Sequence, residues 1–215
     1  LQPGETPAVK VFMGASTGNM LVDDPVTLEG IFEHCAYPIL THCEDTPTIK
    51  ANEAAAREKY GENVPFREHW RIRSREACYK STELAVGLAR KHGTRLHVLH
   101  LTTAEELAFF SAGPVESKRI TVEACVHHLF LNDSYYDERG AAIKCNPAVK
   151  TEADRLALMQ AVRDGVIDII ATDHAPHTAQ EKAAGFWKSP SGLPLVQYAL
   201  PVLFALVARG EMTLE

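Results

Sequence analysis

Five cysteines occur in this 215-residue chain, an odd number, and no two form a C-x-x-C pair. That excludes a disulfide-stapled mini-domain and fits free thiols in a reduced, cytoplasmic compartment. Positive charge is not in excess either. Lys and Arg number 22 against 28 Asp and Glu, so the net charge is −6 with His neutral. Bulk nucleic-acid binding, which needs a basic face, is not expected. Long apolar runs are missing. The nearest, 193–208, is interrupted by Pro194, Gln197 and Pro201, so no membrane span is expected. Low-complexity tracts and internal repeats are absent, no signal peptide is expected, and the first residue is Leu1 rather than Met. The chain therefore reads as an internal piece of a longer protein. What is present is a globular composition, 46% apolar and 23% charged, expected to form one domain over 1–215.

Short apolar runs alternate with helical patterns. Strands are predicted at 8–13, 38–43, 95–101, 120–126 and 167–172. Helices are predicted from Pro25 to about Cys35, over 48–60, over about 72–91 with Gly93 just beyond, and over 103–110. Two more are predicted, at 152–164 behind a Thr151 cap and at 193–207. Residues 135–139 read as a turn and 142–145 as a short extended piece. Near-continuous apolar strands alternating with helices imply a parallel sheet in an α/β fold. A (β/α)8 TIM barrel uses about 31 residues per unit. The step from Lys10 to His42 is 32 residues, and those from His42 to His100 and from His100 to Asp173 are 58 and 73. The last spans an extra strand. Five strands of an eight-stranded barrel result.

Four polar residues sit at the ends of these strands: Lys10 in AVKVFMG, His42 in PILTHCED, His100 in RLHVLHLTT and Asp173 in IDIIATDHAPH. Alternation places Lys10 with Ala8 and Phe12, His42 with Leu40, His100 with Val98 and Leu96, and Asp173 with Ala171. Each would look inward from an apolar face. His97 falls opposite His100 and is set aside. Carboxyl ends of barrel strands are where that fold carries its active site, and two His plus an Asp suit zinc. A single His in an apolar strand is more often a satisfied core residue, but three strands ending in ligand-type residues favour a metal. A buried lysine is costly and a poor ligand. Lys10 either snorkels outward, pairs with an acid, or is carboxylated to a carbamate able to bridge two ions.

The segments VKVFMGASTGNMLVDD, THCEDT, HVLHLTT, VEACVHHLFL, KCNPAVKTEADR and ATDHAPHT occur in that order. Together they resemble the bacterial dihydroorotases, cyclic amidohydrolases of the amidohydrolase superfamily. ATDHAPH is the most specific of these motifs, HCED is less so, and HVLHLTT is weak alone. The resemblance implies a partial TIM barrel, roughly strands four to eight, and two zinc ions. It implies that Lys10 is the N6-carboxylated bridge, that His42 and His100 hold the second metal, and that Asp173 binds the first metal and moves the proton. It implies that Asn146, His177, Ser191 and Gly192 contact the substrate. As local readings, Asn146 is equally a turn residue before Pro147, and His177 a loop residue capping the next helix. The implied reaction is the reversible hydrolysis of (S)-dihydroorotate to N-carbamoyl-L-aspartate in UMP biosynthesis. A homo-oligomer or an aspartate transcarbamoylase partner is compatible with it. Hydantoinase, dihydropyrimidinase or allantoinase chemistry is the nearest alternative. Asn146 before Pro147 and the STGN segment at 16–19 tilt the reading to dihydroorotate. A non-catalytic scaffold is the alternative from another class. The family's first-strand His-x-His-x-Arg occurs nowhere in the sequence, so the chain alone is expected to lack a full binuclear centre and activity.

Overall fold

In the computed structural model, which describes residues 4–14 and 20–214, the five predicted strands pair in chain order, all parallel. They are β1 (Val9–Phe12), β2 (Ile39–His42), β3 (Leu96–Val98), β4 (Ile120–Cys125) and β5 (Ile169–Ala171). The STGN segment lies outside the described residues. Helices are α1 (Pro25–His34), α2 (Thr46–Tyr60), α3 (His69–Ile72), α4 (Arg75–His92), α5 (Val126–Phe130), α6 (Tyr136–Arg139), α7 (Glu152–Arg163), α8 (Ala179–Lys182) and α9 (Ala199–Ala208). Asp24, Asp45 and Ser74 cap α1, α2 and α4 through side-chain bonds to Thr27, Thr48 and Ala77 backbone N–H groups. Thr151 and Asp154 form a reciprocal capping box on α7. Each such cap is worth about 1 kcal/mol.

Strand register sorts the side chains into two faces. Val11, Thr41, Val98 and Val122 stand in one row, and all are buried. They belong to the face that packs with Leu28 and Phe32 of α1, Ala85 and Val86 of α4, and Leu158 of α7. The next row, Lys10, Leu40, His97 and Thr121, looks the other way, toward the interior of the barrel curve. That face is open: Lys10 is exposed, and Ile169, in register with Glu123, is 46% exposed. Two further apolar clusters sit under the loops. One joins Val126, Tyr136, Val149 and Leu193, and the other joins Ile49, Val64, Ile72 and Phe186. They hold the loops that carry the cavity wall.

Several elements depart from the sequence reading. The helix expected at 103–110 is only a 3-10 turn, Glu105–Phe109. Its Glu106 is buried and accepts hydroxyl bonds from Thr82 and Thr103, which tighten the turn. The helix expected at 193–207 begins at Ala199, because Leu193 is extended and bridged to His174. The strand expected to reach Val126 stops at Cys125, where α5 starts. Residues 142–145 overlap a 3-10 turn, Gly140–Ile143, rather than an extended piece. The turn expected at 135–139 is largely the short helix α6. Among the described residues, no helix is long and apolar enough to cross a membrane.

Candidate active site

Alternation along β2 sends Ile39 and Thr41 into the core and turns His42 to the inner face at the strand's end. His42 Nε2 lies 2.9 Å from Glu44 Oε2, and Arg73 Nη1 donates to the same oxygen at 2.7 Å. Glu44 is fully buried. Burial pushes its carboxyl up, but the Arg73 charge and the His42 hydrogen bond outweigh that and hold it well below the usual carboxylate range. Gly14, just past β1, leaves room for this arrangement. Any Cβ there would overlap the Glu44 carbonyl oxygen.

The other nitrogen of His42, Nδ1, faces His100 Nε2 at 3.0 Å, with the rings edge to face and their centroids 4.7 Å apart. His100 arrives there by a route that alternation does not describe. Leu96 and Val98 point into the helix-side core, so an unbroken strand would carry His100 behind the sheet. Instead, β3 ends at Val98 and His100 takes φ 41°, which turns it into the cavity. Its backbone N–H donates to Glu123 Oε1. The expected shared face of His100 with Val98 and Leu96 is therefore corrected. So is the placement of His97, which lies on the inner face beside Lys10 and Leu40. Its ring bonds to Thr121 Oγ1 at 2.9 Å and Glu123 Oε2 at 3.1 Å, and it does not line the cavity.

Asp173, two residues past β5, also has positive φ, 42°, and lines the same cavity. Lys10 lines it from β1, with Nζ 4.6 Å from the Phe12 ring centroid, a cation–π contact. The sequence suggested a buried lysine. Here it is exposed because β1 lies at the edge of the sheet. The cavity, about 410 Å³, also takes in Asn146, Ser191 and Gly192. Asn146 Oδ1 is buried and has no hydrogen-bond partner among the described residues. A buried amide oxygen at a cavity wall is a ready acceptor for a ligand N–H. Gly192 has φ 145°, and a Cβ there would lie 2.5 Å from the Ala175 oxygen. His177 sits apart, in a shallow depression with Arg139 and Lys182, with its Nδ1 3.9 Å from Glu181 Oε2. Its ring edge reaches the far side of Gly192.

Four residues of the site went unread in the sequence. Glu44 had a signal, since position i+2 after His42 points the same way on a strand. Arg73, in the α3–α4 connection, had none. Lys144, buried, donates to the Phe186 and Ser189 carbonyls, both at 2.6 Å, and so ties that loop across the cavity. Burial, with Arg73 nearby, pushes its ammonium down to about 8. His69 Nε2 bonds the Cys145 carbonyl at 2.8 Å, and burial pushes the ring down to about 3.

The donor set fits a divalent ion. If His42 Nε2 donates to Glu44, Nδ1 keeps a lone pair facing His100 Nε2. Burial, then the neighbouring His42, push His100 well below the usual imidazole range, so its ring is neutral. A carboxylate behind a ligating His is the usual way to fix its orientation and tautomer.

No protein-family model matches the chain. Curated relatives do. It is 33% identical to the dihydroorotase of Halobacterium salinarum over 207 residues, 96% of this chain and 46% of that protein. It is 35% identical to that of Carboxydothermus hydrogenoformans over 202 residues, 92% of this chain and 46% of that protein. The chain thus spans about half the length of the curated relatives it matches. Among solved structures, an L-hydantoinase (dihydropyrimidinase) from Arthrobacter aurescens superposes with a TM-score of 0.86 at 22% identity, covering 95% of this chain and 47% of that one. A Saccharomyces cerevisiae dihydroorotase in complex with 5-fluoroorotic acid gives 0.70 at 18% identity, covering 95% and 55%. At these identities the structural likeness establishes a shared barrel fold.

Proposed function

We propose that this chain, which belongs with the dihydroorotases in sequence, carries part of the active site of a metal-dependent cyclic amidohydrolase. The reaction is the reversible hydrolysis of (S)-dihydroorotate to N-carbamoyl-L-aspartate, a step of pyrimidine biosynthesis. The observation that supports it is the convergence of Lys10, His42, His100 and Asp173, from four strand ends, on one cavity. The cavity also carries the unpaired Asn146 oxygen.

In this reading, His42 and His100 would hold one zinc ion and Asp173 a second, with Lys10, carboxylated on Nζ by carbon dioxide, as a further ligand. Bound divalent ions lower the pKa of water and polarise a carbonyl oxygen. The chain's own residues do the rest. Asp173 accepts the proton as water attacks the ring carbonyl, then returns it to the leaving ring nitrogen. Asn146 Oδ1 accepts a ring N–H, and the backbone at Ser191 and Gly192 aligns the ring edge. His177, which sits beside Gly192 and outside the cavity lining, is assigned to the substrate carboxylate. Arg73 and Lys144 in the cavity wall favour an anionic ring over a neutral one. The thiols, all free, suit a cytoplasmic setting.

The test is a substrate comparison on the zinc-restored protein at its native length. Dihydroorotate hydrolysis and carbamoyl aspartate cyclisation are measured against hydantoin and dihydrouracil opening. Dihydroorotate is expected to be strongly preferred. Preference for a ring without a carboxylate would replace this reading with a hydantoinase-type one.

A further inference from the structure

Behind the cavity, at the exit of β4, the chain passes from strand to helix within one residue, and three metal-type donors meet there. Cys125, His127 and His128 each offer one ligand atom, and these atoms lie within 4.8 Å of one another. The residues are 0%, 3% and 4% exposed, and none lines the cavity. Among the described residues, neither ring nitrogen of His127 has a hydrogen-bond partner, and neither does Nδ1 of His128. The two rings lie 3.9 Å apart, centroid to centroid.

An imidazole buried only for packing bonds a nearby carbonyl, as His69 bonds that of Cys145. His127 does not, and a buried ring with two idle nitrogens calls for an explanation. We infer that Cys125, His127 and His128 form a metal site of their own, with one thiolate and two imidazole ligands, built for a borderline or soft cation such as Zn2+.

The chemistry of the donors sets the class of ion. Thiolate and imidazole favour zinc or Cu(I) over magnesium or calcium. Burial, then the Glu123 and Asp173 charges, push the Cys125 thiol well above its usual range, so it rests protonated. Binding breaks the S–H bond, forms an S–metal bond and releases the proton to solvent. His128 Nε2 lies 3.1 Å from the Pro147 carbonyl oxygen, which leaves its unpartnered Nδ1 as the nitrogen free to bind. The enclosure by β4 and α5 points to a structural ion that locks the strand-to-helix corner. This inference does not rest on the dihydroorotate reading.

Cobalt(II) separates the two. The residues assigned to the cavity site, Lys10, His42, His100 and Asp173, include no sulfur. A thiolate-to-cobalt charge-transfer band in the near ultraviolet therefore reports the β4 exit. Titration of the metal-free chain with Co2+ is expected to raise this band to saturation at one equivalent. Cys125→Ser is expected to abolish it, while Cys43→Ser and Cys78→Ser retain it. His127→Gln keeps the thiolate. It is expected to weaken Co2+ binding by more than the roughly 10–100-fold that loss of an outer-shell partner costs. Absence of the band in the unaltered chain, a band that survives Cys125→Ser, or His127→Gln binding as tightly as the parent would each overturn the inference. Should Cys125→Ser fail to fold by circular dichroism, the His127→Gln titration decides. Native-length, zinc-restored protein that does not turn over dihydroorotate, while this chain shows the band, would refute the proposed function and leave this site standing.

Discussion

His42 with His100, and His127 with His128, are two histidine pairs at neighbouring strand exits, and their surroundings differ. The first pair opens on a cavity and has a carboxylate behind it, since Glu44 grips His42 and is itself gripped by Arg73. The second pair is enclosed and, among the described residues, has no carboxylate hydrogen-bonded to it. A third histidine, His97, has a carboxylate partner and no cavity. Chemistry on a substrate needs both features together: access, and a backing group that fixes which nitrogen carries the proton. By that measure the β2–β3 exit has the features of a reaction site and the β4 exit those of the structural site inferred above.

The sharpest way to break this contrast is through the residue that only the first site uses. Asp173→Asn keeps the shape and removes the proton acceptor, so turnover of dihydroorotate at native length is expected to fall by about 10²–10⁴-fold with zinc restored. A loss within a few-fold would place the proton elsewhere. The second test asks whether the backing carboxylate is as costly to remove as its burial implies. Glu44→Ala leaves Arg73 and His42 facing an empty space, and breaking a buried pair costs about 3–5 kcal/mol. A loss of unfolding free energy of that size, read as a lower urea midpoint with an unchanged slope, is expected.

Acid acts on both pairs, because burial pushes His100, His127 and His128 down alike. Burial pushes the His127 ring down to about 4, whereas an imidazole in the unfolded chain titrates near 6.5. Below 6.5 the unfolded chain therefore takes up a proton that the folded chain refuses. The His127 share of the stability, about 3 kcal/mol, is expected to be lost as pH drops from 6.5 toward 4, alongside the shares of His69, His100 and His128, whose rings burial also pushes down. His127→Gln should make that limb shallower in metal-free urea titrations. Glu44 also loses stabilisation in acid, since its folded pKa lies below the unfolded one. Its share begins to fade below the ordinary carboxylate range and lasts into stronger acid. The smallest effect is expected at Gly14→Ala. The new methyl must push β1 away from the Glu44 carbonyl, at about 1–3 kcal/mol. Thermal unfolding measures it.

The strands were legible because each is a short apolar run between turn signals, and the Thr151 cap was legible because capping is local chemistry. His42 and Lys10 could be placed by counting in twos from strand interiors. His97 and His100 could not, because the count fails where φ turns positive two residues past β3. Arg73 and Lys144 were invisible for another reason. Their roles come from partners 29 residues away in one case and 42 and 45 in the other. The 3-10 turn after β3 was read as a helix because its pattern is helical. The need of buried Glu106 for two hydroxyls overrode that pattern.

The positive φ values at His100 and Asp173 have a practical consequence. They are the only two such non-glycine residues described, and each lies two residues past its strand and lines the cavity. Holding an L-residue in that region costs about 1–3 kcal/mol apiece. An engineer who wanted the sheet as an inert scaffold would begin there. His100→Gly and Asp173→Gly would relax both corners, giving a sturdier protein that had forfeited its reaction.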